Sequence, residues 1–235
     1  MPDRPSRANF RSDPRRVAEG FDRVAWCYPL LERFFLLPRW LQAAAREQLA
    51  LDPGSRVLVV GCGLGRSLPV LSRAVGPGGE VVGIDISPVM ARKAAARCRR
   101  EGIGNAPVVC TDLFTFSDAE GFDRVWMEHS LNCFSDPQAA LRKAWSLVRP
   151  NGRCVVLDGR LPPRYAWLTT RVMPAIRWVM EHSLLGDPDM DPSVEVERSG
   201  LPHRIRWSRG DTWFVATVEK FGNGAGEPVG TVHGG

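Results

Sequence analysis

Residues 56–67 read Arg-Val-Leu-Val-Val-Gly-Cys-Gly-Leu-Gly-Arg-Ser, and this stretch decides the fold. Its run of apolar residues is typical of a short buried strand, and three alternate glycines follow directly. Gly61, Gly63 and Gly65 indicate a turn where the backbone needs space that a side chain would fill. The usual occupant of such a space is a ligand, which also meets the N–H groups at the start of the next helix.

A second apolar run, Val-Val-Gly-Ile over residues 81–84, ends in Asp85. The chain between Gly65 and Asp85 is long enough for one helix, so the two runs predict a β-α-β unit. A carboxylate at the tip of the second strand of such a unit is placed to accept hydrogen bonds from a ribose diol.

Strands and helices continue to alternate along the chain, with further strands predicted over residues 107–110, 122–127 and 153–157. Two later strands, over 203–207 and 212–219, are joined by a short polar turn and predict a hairpin. The pattern predicts an α/β fold: a doubly wound, mainly parallel, seven-stranded Rossmann-like sheet with a C-terminal antiparallel hairpin and helical cap elements.

The chain divides by composition into three parts. Residues 1–49 are predicted to form an N-terminal arm and cap helices that break at Pro29 and Pro38, and residues 50–220 the main domain. Residues 160–200 are predicted to be a helical insertion on the ligand side of that domain, with a helix near 164–185. The glycine-rich residues 221–235 are predicted to be a disordered tail.

Composition narrows the class of protein. The 235 residues are 44% apolar and carry a net charge of +5, which suits one large domain. The six cysteines include no Cys-x-x-Cys pair, so no metal is expected, and no apolar run is long enough for a membrane span. The polar, arginine-rich start does not resemble a signal peptide, and a cytoplasmic location is expected. That start is either a disordered arm or a surface that attracts anionic lipid or an acidic substrate, so peripheral membrane contact stays open.

The motifs together resemble those of the class I S-adenosylmethionine (SAM)-dependent methyltransferases, within them the ubiquinone/menaquinone-biosynthesis-like branch. The resemblance rests on the glycine turn, on Gly-Ile-Asp-Ile-Ser at 83–87, on Thr-Asp-Leu at 111–113 and on Leu-Val-Arg-Pro-Asn-Gly-Arg at 147–153. Nicotinamide-binding folds also carry a glycine turn, but their spacing is Gly-x-Gly-x-x-Gly, and here the third glycine comes one position early.

The resemblance implies SAM as cofactor, S-adenosylhomocysteine as product, and a set of cofactor-binding residues. Asp85 would accept both ribose hydroxyls, Ile86 would cover the adenine, and Asp112 would accept the adenine amine. The resemblance also implies cofactor contacts by the glycine turn, by the residue after Asp112, by the end of the fourth strand and by the tyrosine of the Phe-Asp-Arg-Val-Ala-Trp-Cys-Tyr motif at 21–28. These residues are Gly61, Cys62, Gly63, Gly65, Leu113, Glu128 and Tyr28. Asp112 also has a structural interpretation, as a helix cap.

Glu128 and His129 follow the fourth strand, at the sheet edge where ligands bind. Methyl transfer from a sulfonium is an in-line displacement, so a base is needed only if the nucleophile carries a proton. His129 is the first candidate for that base and Glu128 the second. Either residue is equally interpreted as a packed structural side chain.

Aromatic side chains in the cap segments are candidates for the acceptor side of the site. They suit a flat or apolar acceptor, although packing of cap helices on the core explains them as well. The candidates are Phe35, Tyr165, Trp167 and Trp178.

The function predicted from these features is SAM-dependent methyl transfer to a small hydrophobic or amphipathic acceptor, such as a natural product, a quinone or a lipid. One alternative is a nucleic-acid methyltransferase, which is disfavoured because the chain shows neither a basic stripe nor the Asn/Asp-Pro-Pro-Tyr/Phe motif. The other alternative is a protein that binds SAM without turnover. The acceptor atom and the oligomeric state are not encoded in these motifs.

Overall fold

In the described part of the chain, eight strands form one mixed sheet. The computed structural model describes residues 14–26, 39–160, 190–208, 210–221 and 230–232 of the chain. In chain order the strands are β1 (Arg56–Val60), β2 (Glu80–Asp85), β3 (Val108–Cys110), β4 (Phe122–Glu128), β5 (Val148–Gly159), β6 (His203–Trp207), β7 (Trp213–Glu219) and β8 (Gly230–Val232).

Helices connect the strands and begin at capping residues that the sequence marks. The N-cap Ser87 accepts a hydrogen bond from the Met90 N–H, and Asp136 accepts one from the Ala139 N–H, each followed by a proline in the first turn. The helices are α1 (Pro14–Val24), α2 (Arg39–Leu49), α3 (Leu68–Val75), α4 (Pro88–Arg100), α5 (Pro137–Ser146) and α6 (Pro192–Arg198), with a 3-10 turn at Leu131–Cys133.

The strand order is β3-β2-β1-β4-β5-β7-β6-β8. The first five strands in this order run parallel to one another, and β7 is antiparallel to both β5 and β6. The predicted fold class, a doubly wound sheet with a C-terminal hairpin, is therefore confirmed. The order reverses between β1 and β4, and in such sheets the ligand crevice lies at that point, beyond the carboxyl ends of the strands.

Both faces of the sheet are buried, because successive side chains of a strand point to opposite sides. On one face Leu58 and Val60 pack with α5 and α6. On the other face Val57, Val59 and the fully buried Trp126 pack with α2, α3 and α4. The two cores hold the ends of β1, β2 and β4 in fixed positions, and these ends carry the predicted site.

The amino edge of the sheet is held by a cluster of ionic contacts around Arg56. Its guanidinium donates to Asp118 at 3.0 Å and to Glu80 at 2.9 Å, and it lies 4.9 Å from the centre of the Phe122 ring. The hydrogen bond from Arg56 is the main cause that lowers the pKa of Asp118. This cluster lies at the end of the sheet opposite to the predicted ligand site, so its role is structural.

Strand β5 is longer than the predicted strand over residues 153–157. It includes most of the Leu-Val-Arg-Pro-Asn-Gly-Arg motif at 147–153, in which Asn151 adopts a φ of 62° and donates its N–H to the Lys220 carbonyl at 2.7 Å. The pairing of β4 with β5 also shifts register near this point. A local irregularity with a left-handed residue is thus accommodated within one strand, as in a β-bulge.

The C-terminal segment differs from its prediction as well. Residues 230–232, within the tail predicted to be disordered, form β8 and pair in parallel with β6. The prediction is wrong for these three residues, because an edge strand such as β6 presents unpaired N–H and C=O groups that an extended segment satisfies. The helix predicted near 164–185 and the break at Pro29 lie outside the described residues.

Candidate active site

A cavity of about 240 Å³ opens at the carboxyl ends of β1, β2 and β4. Its wall is formed by the loops that follow these strands and β3, and by side chains of α1 and α4. The residues that line it are Val17, Phe21, Val60, Gly61, Gly63, Ile84, Asp85, Ile86, Met90, Thr111, Asp112, Leu113, Phe114, Glu128, His129, Ser130, Cys133, Phe134 and Ser135.

Asp85 presents a buried carboxylate to this cavity, with 8% of the residue exposed. Its Oδ2 accepts a hydrogen bond from the Gly63 N–H at 2.8 Å, and its Oδ1 accepts one from the Ser87 N–H at 2.9 Å. A carboxylate has about four lone-pair sites. Each oxygen of Asp85 therefore keeps capacity for a further donor from the cavity.

The pKa of Asp85 is raised to about 6, chiefly because burial disfavours its charged form. The hydrogen bonds from Ser87 and Gly63 oppose this rise, and the Asp22 carboxylate adds to it. Because the pKa is raised in the folded chain, the contribution of Asp85 to folding stability is lost as the pH rises through about 6. At neutral pH the carboxylate is an ionised acceptor whose burial is only partly compensated by the protein.

Helix α1 reaches the same wall through Asp22. Its carboxylate accepts hydrogen bonds from the Ser87 hydroxyl and from the Val89 N–H, the latter at 3.2 Å. Asp22 thus caps α4 together with Ser87. Its carboxylate is also the neighbouring negative charge that adds to the rise in the pKa of Asp85. The N-terminal segment is in this way attached to the wall that holds the predicted ribose-binding carboxylate.

The glycines of the turn have separate roles. Gly61 lines the cavity at a φ of +67°, and a Cβ there would lie 2.8 Å from that of Ser130. Gly65 lies behind the cavity wall, where a Cβ would lie 2.8 Å from that of Ala94 on α4. Gly61 therefore leaves space at the site, while Gly65 allows close packing of the helix, so the predicted cofactor contact of Gly65 is not among the cavity contacts.

Cys62 is likewise not among the cavity residues. Its side chain is buried in the core on the α3 side of the sheet. Burial raises the pKa of the Cys62 thiol well above its usual range, so the side chain behaves as a small apolar group. Its side chain therefore lies away from the implied cofactor site.

Asp112, Leu113 and Ile86, for which the resemblance implies cofactor contacts, all line the cavity. Oδ1 of Asp112 also accepts a hydrogen bond from the Phe114 N–H at 2.9 Å. No helix directly follows Asp112 in the described chain, so the helix-cap interpretation is wrong, and this hydrogen bond instead stabilises the turn over residues 113–115. The same carboxylate remains on the cavity wall.

Glu128 ends β4 with a carboxylate that two side chains hold in place. Oε1 accepts a hydrogen bond from Nε2 of Gln42 on α2 at 3.2 Å, and Oε2 accepts one from Nε1 of Trp126 at 3.3 Å. Because Trp126 is fully buried, it anchors Glu128 to the core. The site thus carries a fixed anionic group at the end opposite to the loop after β3.

His129 adopts a left-handed backbone conformation, with a φ of 52°, as it leaves β4. Its N–H donates to the Leu157 carbonyl at 2.9 Å, and its ring meets the Trp213 ring edge-to-face at 5.2 Å between centroids. The imidazole is 34% exposed and lines the cavity. It is therefore both supported by the fold and accessible to a bound molecule.

Some residues near the site were not found by sequence reasoning. Ser130 lines the cavity, and its buried hydroxyl has no hydrogen-bond partner among the described residues. Gln42 holds Glu128 from a helix far away in sequence, which no local pattern reveals. Asp158 lies next to His129, and the signal for it was present, since an acid directly follows the apolar run of β5.

The aromatic acceptor-side candidates Phe35, Tyr165, Trp167 and Trp178, and the cofactor-side candidate Tyr28, lie outside the described residues. Within the described ranges, no three His, Cys, Asp or Glu side chains come together as a metal site. None of the helices in the described part of the chain is long and apolar enough to cross a membrane.

The geometry fits a nucleoside cofactor. A bare backbone at Gly61 and Gly63 adjoins a carboxylate with unused acceptor capacity at Asp85, and the apolar Ile86 and Leu113 lie beside them. These groups match a ribose diol and an adenine ring, whereas Glu128 supplies negative charge for a cationic group.

The chain matches the methyltransferase-domain family over residues 51–195. It is 32% identical to a demethylmenaquinone methyltransferase of Mycolicibacterium vanbaalenii over 193 residues, which cover 78% of each chain. It is 38% identical to the nocamycin O-methyltransferase of Saccharothrix syringae over 147 residues, which cover 61% of this chain and half of that relative.

Solved structures show the same fold at low identity. A SAM-dependent methyltransferase from Aquifex aeolicus superposes with a TM-score of 0.59 at 20% identity, over 88% of this chain and 97% of that one. An O-methyltransferase family protein from Burkholderia thailandensis superposes with a TM-score of 0.59 at 17% identity, over 92% and 62% of the two chains. Together with the family match over most of the sheet, these similarities show that the chain belongs to the SAM-dependent methyltransferases.

Proposed function

We propose that the protein transfers the methyl group of SAM to a small hydrophobic or amphipathic acceptor. The observation that carries this proposal is the buried carboxylate of Asp85 beside the bare backbone of Gly61 and Gly63, with Glu128 and His129 on the same cavity. In this arrangement one end of the cavity suits the nucleoside, and the other end carries charged and basic side chains.

Each cavity residue has a role under this proposal. Asp85 accepts the two ribose hydroxyls, Ile86 and Leu113 contact the adenine, and Asp112 accepts its amine. Glu128, held by Gln42 and Trp126, accepts hydrogen bonds from the cationic amino acid end of the cofactor. With these contacts the reacting methyl group would lie near His129.

The bound cofactor supplies a methyl group activated by the sulfonium charge. The protein aligns the acceptor with that methyl group and excludes water from the cavity. His129 accepts a proton when the attacking atom of the acceptor carries one. No other acid–base step is required of the chain.

The choice of a small acceptor rests on the lining of the cavity and on the relatives. Phe21, Phe114 and Phe134 line the cavity, and the latter two rings meet edge-on at 6.0 Å between centroids. Such a surface suits a flat or apolar molecule. The names of the two curated relatives refer to menaquinone and nocamycin, both small molecules.

Release of S-adenosylhomocysteine tests the acceptor class. The protein is incubated with SAM and, separately, with a panel of phenols and quinols, with phospholipid vesicles, and with total RNA. Product is expected with members of the small-molecule panel or with the vesicles. Product with RNA alone contradicts the proposal, and so does calorimetric binding of SAM without turnover on any of the three.

Asp85→Ala is expected to weaken SAM binding about 10- to 150-fold, because loss of hydrogen bonds to a charged acceptor costs about 1.5–3 kcal/mol. Calorimetry on the folded variant gives the dissociation constant, and thermal unfolding confirms that the variant is folded. An unchanged dissociation constant would contradict the ribose assignment.

SAM binding is also expected to depend on pH through Asp85. A protonated carboxyl accepts poorly, so affinity should fall as the pH drops through about 6, the raised pKa of this residue. Below that value the fall should approach about tenfold per pH unit if the ionised form alone binds. Asp85→Asn should bind weakly at every pH and lose this slope, and a slope that persists in the variant assigns the titration to another group.

A further inference from the structure

Asp158 is a buried carboxylate that lies beside the active-site cavity. It directly follows the apolar run of β5 and is 1% exposed. Oδ1 accepts a hydrogen bond from the Gly159 N–H at 2.9 Å, whereas Oδ2 has no partner in the described part of the chain. A charge so deeply buried is costly unless an opposite charge faces it.

The group that faces Asp158 is the imidazole of His129. Nδ1 of His129 lies 3.8 Å from Oδ1 of Asp158, just beyond hydrogen-bond distance. β4 and β5 are paired at this level, with Glu128 opposite Leu157, so the two residues that follow them are neighbours. The contact is therefore set by the sheet and not by a mobile loop.

The elements that pack against His129 orient its ring. β7 contributes the Trp213 ring, which lies over Gly159, where a Cβ would collide with the indole. The adjacent Glu128 is held by Gln42 and Trp126. Among these described neighbours, Asp158 is the carboxylate within ion-pair distance of the imidazole.

We infer that Asp158 is a positioning residue for His129, and that the acceptor is a phenol or an enol, which loses its hydroxyl proton as the methyl group is transferred. The charge of Asp158 faces Nδ1 and stabilises the imidazolium that forms when Nε2 takes the proton of the acceptor. This inference rests on the proposed function and specifies its acceptor class. A neutral amine would need no such base, because it attacks before it loses its proton.

The acceptor hydroxyl gives its proton to Nε2 of His129. The electron pair so released, on the oxygen or on the carbon conjugated with it, forms a bond to the methyl carbon. The carbon–sulfur bond breaks with its electron pair on sulfur. The products are the methylated acceptor, S-adenosylhomocysteine and an imidazolium whose positive charge faces Asp158.

A titration by NMR tests the pairing without any acceptor. The imidazole signals of His129, assigned with the H129Q variant, are followed against pH in the wild-type protein and in Asp158→Asn. Removal of the facing charge is expected to move the His129 midpoint to lower pH by about one unit or more. Asp52→Asn, on an exposed residue at the far edge of the sheet, should leave it unchanged. An unchanged midpoint in Asp158→Asn overturns the inference.

A second measurement uses the wild-type protein alone and covers the case in which Asp158→Asn fails to fold. The side-chain carboxyl carbon of Asp158 should respond at the same pH as the His129 ring, and independent responses overturn the pairing. Where both proteins fold, Asp158→Asn should retain SAM affinity yet slow methyl transfer to hydroxyl acceptors. Transfer found only to amines, or only to acceptors without a hydroxyl group, overturns the acceptor class, whereas failure to bind SAM overturns the proposed function itself.

Discussion

Replacing His129 by glutamine is expected to slow methyl transfer to a hydroxyl acceptor about 10²- to 10⁴-fold, the usual contribution of a general base. Glutamine keeps a polar side chain of similar reach but cannot take the acceptor proton at neutral pH. The measurement is the turnover number at saturating SAM, with the acceptor found in the panel. SAM affinity should be nearly unchanged, since the proposed cofactor contacts lie on other residues.

Two further results separate a base from a structural histidine. His129→Ala should regain part of its activity when free imidazole is added, because the deleted base is then supplied from solution. The loss in the glutamine variant should also shrink for phenols that are already ionised at the assay pH. Equal losses for ionised and un-ionised acceptors, with no rescue, would point to packing against Trp213 as the role of the ring.

Trp126→Ala is expected to lower the free energy of unfolding by about 3–5 kcal/mol, the range for large-to-small changes in a core. Trp126 is fully buried within the core formed with α2, α3 and α4, so its removal leaves a cavity that the rigid sheet cannot close. Chemical denaturation of the variant and of the wild-type protein measures this change.

Trp126→Phe is the matched control. It keeps most of the buried ring and removes the Nε1 donor to Glu128, so it should cost much less stability than the alanine variant. If Glu128 binds the cofactor, the phenylalanine variant should also bind SAM more weakly, because its carboxylate loses one of two supports. Equal stability losses in the two variants would show that the hydrogen bond, and not the ring volume, dominates.

Local patterns predicted much of the sheet. The apolar runs before Gly61 and Asp85 are buried on both faces, and they became adjacent parallel strands with Val57 opposite Val81. The hairpin of β6 and β7 also follows its predicted boundaries to within a residue. These elements were predictable because their period and their turn residues agree with their tertiary surroundings.

Other features depend on contacts that no local pattern contains. Gly65 belongs to a turn whose sequence is typical of ligand binding, yet its missing side chain allows α4 to approach closely at Ala94. Gln42 reaches Glu128 across a long separation in sequence. β8 exists because β6 leaves an open edge, and a glycine-rich sequence gives no strand signal of its own.

Asp158 could have been predicted from the sequence, because it follows an apolar run as Asp85 and Glu128 do. The predicted end of the fifth strand, one residue earlier, left it out. The residue directly after the predicted end is the one that lies beside His129.

The ionic cluster around Arg56 lies at the end of the sheet opposite to the cavity, and this separation bears on how such a protein diversifies. Residues that secure the scaffold and residues that contact the acceptor share few neighbours. Cavity residues in the loop after β4, such as Cys133, Phe134 and Ser135, can therefore be replaced to suit new acceptors without loss of the anchoring at the far end. Directed evolution of acceptor range should tolerate substitutions there, whereas changes at Arg56 should reduce yield of folded protein whichever acceptor is selected.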